Sequence, residues 1–415
     1  MKIFTKNHIY IVAVLLMACQ ETISPVDTLS FNAGSKVIRL NPVDVAKQNP
    51  LPVYMHYMPW FETPNDTTPN WGYHWTMRNS DPTQIDPATG QRDIAAHFYP
   101  LIGPYHSSDP DVIRYHLLLM KYAGIDGILI DWYGVEGTNG DIEMLLQNSN
   151  KLISHLDEIG LDFAIVLEDR FSADASDVMA NLQYMEEYYY SNVRYIKSND
   201  SPLLLIFGPI GITDAGEWED ILASTNARET FVPLWNNNLA GGVASGSYVW
   251  PWGGQDLTDI SNYYAQSNVD DVIGGIAYPG FKDYYLEGLG EDIIGWEIPV
   301  SPQTFDDILD VSLDNFTTID FLQVATWNDF GEGTIVEPTV ENGFTFLEQL
   351  QDFTYISRFG KGELELIYDW YLLTKDTALD DNQEIQNHIE QMFYYLTALD
   401  VDAARAENVK IQNLK

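Results

Sequence analysis

Eight short apolar runs recur along the chain, and several lead into an amphipathic stretch with helical spacing. They are PVYMHY (52–57), GILIDW (127–132), DFAIVL (162–167), PLLLIF (202–207), TFVPLW (230–235), SYVWPW (247–252), VIGGIAY (272–278) and FLQVATW (321–327). A strand that is apolar on both faces needs cover on both, so these runs predict a parallel sheet with helices packed around it. The stretch DPDVIRYHLLLMKYAG carries the boundary signals of a helix: Asp109 as N-cap, Pro110 at the first helical position and Gly124 past the end. EMLLQNSNKLISHLDEIG, SDVMANLQYMEEYYY, AGEWEDILAST and TFDDILDVSLDNF are further helical stretches. Eight strands over about 270 residues predict an α/β fold, a closed (β/α)8 TIM barrel in preference to an open doubly wound sheet. No G-x-G-x-x-G follows the first run, which disfavours a dinucleotide-binding sheet. After Gly343 the pattern is helical only, predicting the last barrel helix plus extra C-terminal helices in a single domain over residues 51–415.

The chain opens with Lys2 and Lys6, then an apolar run from Ile9 to Ala18 that is too short to span a bilayer. Cys19 is the single cysteine, so no internal disulfide can form. Leu16-Met17-Ala18-Cys19 resembles a bacterial lipoprotein signal; the plainer alternative is a small buried thiol in an uncleaved chain. The resemblance implies loss of residues 1–18, a lipid on Cys19 and a membrane-anchored place in the bacterial cell envelope. Residues 19–50, with Pro25, Pro42 and Pro50, are expected to act as a tether. Asp and Glu total 61 against 21 Lys and Arg, a net charge of −40, which excludes a nucleic-acid binder or a polybasic membrane-surface protein. An aromatic content of 13% does not fit disorder, so the rings must be buried or must contact a ligand. The expected state is a monomer.

In a barrel of this kind chemistry sits at the C-terminal ends of the strands. There the chain places Tyr57 and Trp60, Asp131 and Trp132, Glu168, Trp250, and then Trp327-Asn328-Asp329-Phe330-Gly331-Glu332. Carboxylates beside aromatics suit a carbohydrate, because rings stack on sugar faces and carboxylates bind hydroxyls or move protons. Asp131 and Glu168 adjoin apolar runs, where a charge is costly unless paired or working; Arg170 is a structural partner for Glu168 or Asp169. Asp329 and Glu332 share one turn loosened by Gly331 and Gly333, so two carboxyls can approach one bond, one as acid and one as base. His56, His74, His97, His106, His116, His155 and His388 form no H-E-x-x-H, and there is no G-x-S-x-G and no P-loop. No metal or other cofactor is expected.

The segment WNDFGEGTIVEP (327–338) resembles the signature of glycoside hydrolase families 99 and 71. Tyr57-Met58-Pro59-Trp60-Phe61, Tyr73-His74-Trp75 and GPYHSSDPDVIRYHLLLMKYAGIDGILIDWYG (103–134) are similar to family-99 segments in the same order. The resemblance spans about residues 50–340 and implies a catalytic barrel that cleaves α-linked polysaccharide, as an endo-acting α-mannanase or α-mannosidase or as an α-1,3-glucanase. It implies Glu332 as general acid/base, and Asp329 as the base that in family 99 deprotonates the sugar's 2-hydroxyl. It also puts Asn328, Glu168, Trp132, His74 and Tyr57 near substrate-contacting positions, and Asp131, Trp60, Trp75 and Trp250 are expected to bind the sugar beside them. The chain departs from family 99 at Asp329, one methylene shorter, at Phe330-Gly331 and at Asp169-Arg170, which leaves retaining and inverting mechanisms both open. The reading from another class is a non-catalytic glycan-binding lipoprotein, which would keep the aromatics but have no use for both Asp329 and Glu332.

Overall fold

Each of the eight apolar runs holds one strand of a closed parallel ring. In chain order these are β1 (Val53–Tyr57), β2 (Gly127–Trp132), β3 (Asp162–Leu167), β4 (Ser201–Ile206), β5 (Thr230–Val232), β6 (Gly246–Tyr248), β7 (Val272–Ala277) and β8 (Phe321–Val324). Neighbours pair in parallel from β1 through β5 and from β6 through β8 back to β1. The remaining gap closes through a parallel bridge between Leu234, just past β5, and Tyr248, with Trp235 N donating to Tyr248 O at 2.7 Å. The computed structural model describes residues 27–30, 36–65, 69–235, 239–254, 256–266, 272–289 and 294–415. The expected signal segment 1–18 and Cys19 lie outside the described residues.

Helices cover the ring: α1 (Pro110–Tyr122), α2 (Ile142–Ile159), α3 (Ala175–Tyr188), α4 (Ala215–Leu222), α5 (Leu257–Gln266), α6 (Pro302–Asp314) and α7 (Thr345–Phe353). Asp109 caps α1 as its sequence requires, accepting from the backbone N–H of Asp111 and Val112. All six residues of β2 are buried, and each aliphatic side chain so enclosed contributes roughly 1.5–3 kcal/mol. Past the barrel, α8 (Lys361–Thr374), α9 (Gln383–Thr397) and α10 (Val401–Leu414) form the C-terminal addition.

The stretch expected as a tether is folded from residue 36 onward. Lys36–Arg39 is a strand antiparallel to Asp27–Ser30, and the amide of Gln391 in α9 brackets Ile38, accepting from its N–H at 2.7 Å and donating to its carbonyl at 3.0 Å. Val43 N donates to Thr397 O at 3.1 Å, and the Asn49 side chain donates to Phe353 O at 3.1 Å. With its backbone groups paired to α9 and α7, this segment is part of the folded unit.

Three loops at the C-terminal ends of strands build the functional face. Residues 58–109 after β1 include the short helix Tyr73–Thr76, residues 278–301 after β7 include Tyr285–Leu289, and residues 325–344 follow β8.

Candidate active site

A cavity of about 400 Å³ opens at this face. Asp131 on β2, Glu168 just past β3, and Asp329 and Glu332 after β8 project into it, with Arg170 beside them. Trp60, His74, Tyr133, Phe207 and Trp250 form its apolar walls, and Tyr285 reaches in from the β7 loop. The Trp60 and His74 rings stack with centroids 4.1 Å apart and planes 7° from parallel; Trp250 stands edge-on to His56 at 4.8 Å.

The β8 loop is shaped by backbone contacts. Thr326 Oγ1 accepts from Asp329 N at 2.8 Å, and Asp329 Oδ1 accepts from Glu332 N at 2.9 Å, so the loop curls around the Asp329 carboxyl. Gly333 sits at φ 69°, and a Cβ there would lie 2.5 Å from the Lys282 carbonyl, so only glycine fits. Lys282 N donates to Glu332 O at 2.9 Å and Tyr284 N to Gly331 O at 2.8 Å, tying the β7 and β8 loops together.

Electrostatics separates the two carboxyls. Burial pushes Asp329 up to about 7, while the backbone N–H groups of Glu332 and Gly331 favour its ionised form. Glu332 is held well above the usual carboxylate range by burial and by the charge of Asp329; the Tyr285 hydroxyl, donating to its Oε1 at 3.2 Å, pulls the other way. Asp329 therefore loses its proton at lower pH than Glu332, the ordering that acid/base chemistry needs. A second carboxyl pair lies opposite. Burial and Glu168 raise Asp131 well above its ordinary value, so it keeps its proton and bonds to Glu168. Burial raises Glu168 as well, with the paired Arg170 guanidinium opposing. Burial pushes His74 down to about 3, so that ring is neutral.

The structure brings Trp60, His74, Asp131, Glu168, Trp250, Asp329 and Glu332 to one cavity. It keeps four other expected contacts out of it. Tyr57 is fully buried with its hydroxyl 3.0 Å from His116 Nδ1; the preceding residue, His56, faces the cavity. Trp75 is buried and donates to Tyr105 O at 2.9 Å. Trp132 points outward to Tyr184 of α3 and to Tyr189, because adjacent residues of a strand face opposite sides and Asp131 takes the inner one. Asn328 acts as a clamp: its Oδ1 accepts from Met58 N at 2.9 Å, and its amide donates to Met58 O and to Tyr105 Oη, each at 3.0 Å. Tyr105 donates in turn to Glu337 Oε2 at 2.7 Å, and Glu337 Oε1 lies 3.3 Å from His116 Nε2. This buried network fixes the β8 loop against β1 and α1. Sequence reasoning did not place His56, Phe207 or Tyr285 at the site, and gave Arg170 a purely structural pairing. Asp169, its neighbour, accepts from the backbone N–H of Ile210, Gly211 and Ile212 at 2.8–3.0 Å and so builds the β4 loop. Among the described residues, no group of three His, Cys, Asp or Glu side chains is placed to hold a metal ion.

Paired carboxyls in an aromatic-walled cavity on the C-terminal face of a (β/α)8 barrel are the kind of fold and constellation that glycosidic hydrolysis uses. Comparison with known proteins narrows the class. Residues 50–238 match the family model described as glycosyl hydrolase family 99. A glycoprotein endo-alpha-1,2-mannosidase of Xenopus laevis is 24% identical over 192 residues, 42% of this chain and 41% of that protein. A glycoprotein endo-alpha-1,2-mannosidase-like protein of Mus musculus is 26% identical over 196 residues, 43% of each. The matched region thus spans about two-fifths of the length of these relatives. The solved structure of the GH99 endo-alpha-mannosidase from Bacteroides thetaiotaomicron superposes with a TM-score of 0.59 at 18% identity, covering 76% of this chain and 98% of that one. The likeness to glycosyl hydrolase family 99 thus covers residues 50–238, somewhat under half of the chain. Asp329 and Glu332 lie beyond that stretch; closure of the barrel carries them to the cavity that it lines.

Proposed function

We propose that the protein hydrolyses α-linked mannose glycans within the chain, with Glu332 as general acid and Asp329 as base. The observation that carries this reading is the placement of two buried carboxyls on one curled loop in the cavity, with Glu332 N donating to Asp329 Oδ1 and burial raising both. Glu332 gives its proton to the glycosidic oxygen as the bond from that oxygen to the anomeric carbon breaks. Asp329 takes a proton either from a water that attacks the anomeric carbon or from the sugar's own 2-hydroxyl, whose oxygen then closes on that carbon until water opens it. Asp131, Glu168 and Arg170 bind hydroxyls, and Trp60 and Trp250 stack on sugar faces. The family match and the names of the relatives support mannose as the sugar. A lipid on Cys19 and a place in the cell envelope belong to the same proposal, supported by the residue order from Lys2 to Cys19.

The test is product release from α-mannan and from α-1,3-glucan by the native protein and by Glu332→Gln. The native protein is expected to cleave α-mannan, and the variant to lose roughly 10²–10⁴-fold in rate. Cleavage of glucan alone would remove the mannose assignment. Binding of glycan by both proteins with cleavage by neither would leave a glycan-binding protein.

A further inference from the structure

We propose a second sugar-binding platform outside the cavity, on the exposed indole of Trp252, which holds the glycan chain where it leaves the site. The proposal rests on the glycan-hydrolase reading above. Trp250 lines the cavity, and two residues on, Trp252 is 41% exposed on the same face. Its ring is held edge-on to Trp235 with centroids 5.5 Å apart, so one indole braces the other and leaves it open to solvent. At the next residue, Gly253, a Cβ would lie 2.5 Å from the Trp296 ring, so the backbone beside Trp252 packs on that indole. Trp296 packs on Phe281 at 4.2 Å, and the next residue, Lys282, donates its N–H to the Glu332 carbonyl at 2.9 Å. Aromatic rings of the β5, β6 and β7 loops, Trp235, Trp252, Trp296 and Phe281, therefore stand in a row between the backbone of the catalytic loop and solvent, linked through Gly253.

A single exposed tryptophan is ordinary on a protein surface. This one is braced by Trp235 and stands two residues from the cavity-lining Trp250, and it commits to one occupant. The rings of the row offer C–H and π faces and no charge, which suits the apolar face of a neutral pyranose. A cavity of about 400 Å³ encloses only a short stretch of polymer, so a chain cleaved internally must cross the rim. The row gives it a path between the β5, β6 and β7 loops.

The experiment compares kcat/KM on a long α-mannan with kcat/KM on a short α-mannoside, for native protein, Trp252→Ala and Trp252→Phe. The ratio of long to short is expected to fall roughly tenfold in Trp252→Ala, the size of one aromatic stacking contact, and to recover most of that in Trp252→Phe. An unchanged ratio in Trp252→Ala overturns the platform. If native protein cleaves no α-glycan, the hydrolase reading fails, and the platform is judged by retardation in gels containing α-mannan. Retardation of native protein that is lost in Trp252→Ala supports it; equal retardation, or none for native protein, overturns it.

Discussion

Asp329 and Glu332 differ by one methylene, and the loop uses the difference. The shorter side chain folds back so that its Oδ1 accepts from Glu332 N at 2.9 Å, which stabilises a carboxylate; the longer one has Asp329 as a neighbour and retains its proton. The proposed mechanism requires Asp329 ionised and Glu332 protonated, so the pair titrates as a unit with one limb on each side of the optimum. The acid limb of kcat/KM is expected near pH 7, where Asp329 ionises. The alkaline limb belongs to Glu332. Tyr285 donates a hydrogen bond to Glu332 that favours its ionised form, so Tyr285→Phe raises the Glu332 value further and moves the alkaline limb to higher pH. A pH–rate profile of the two proteins checks this; movement of the alkaline limb to lower pH would contradict the assignment of Glu332 as the acid.

Along each strand, alternation decides which residue works and which packs. Asp131 enters the cavity and Trp132 packs outward; His56 enters and Tyr57 turns to His116. These runs are apolar on both faces, so the sequence marks where a strand lies without marking its inner side. That is why all eight strands were legible from β1 to β8, whereas Tyr57 and Trp132 were expected at the substrate and His56 was not. The WNDFGE segment could be read because its carboxyls and glycines stand together in one loop. Tyr285 could not, because it lies eight residues past β7 and reaches Glu332 only through the pairing of two loops. The strand at Lys36–Arg39 was equally hidden, since what ties it to the domain, besides its pairing with Asp27–Ser30, is a side chain of α9 more than three hundred residues away. The parity has a measurable consequence. Trp132→Ala opens a void among buried rings and is expected to cost roughly 3–5 kcal/mol in denaturant unfolding. Trp250→Ala, on the cavity wall, is expected to lower kcat/KM with a smaller loss of stability. The reverse pattern would mean that the strand faces are misassigned.

At the scale of the whole molecule, acidity acts in two places that salt can separate. The net charge of −40 lies mostly on the surface, where repulsion is screened at high ionic strength. The cavity carboxyls are enclosed and much less screened. Asp329 is raised from 3.8 to about 7, and Glu332 stands well above 4.5, so over that interval the folded state binds more protons than the unfolded chain. Their contribution is therefore full below the unfolded values and is lost as pH rises through the folded ones. Other buried groups run the opposite way. His56 and His74 are depressed to about 4 and 3, and Lys121 to about 7, so each favours folding more as pH rises through its own window. The total pH dependence mixes these terms, but a difference between two proteins isolates the carboxyls. The double variant Asp329→Asn, Glu332→Gln keeps the shape of the site and removes both titrations. Its stability relative to native protein is expected to increase steadily from pH 5 to pH 8, by an amount on the order of a few kcal/mol. High salt should raise the stability of both proteins and leave that difference nearly intact. Urea unfolding at several pH values, with and without added salt, gives the answer; a difference flat in pH would mean that the two carboxyls are not strained by burial, and the order of proton loss assigned to the site would have no physical source.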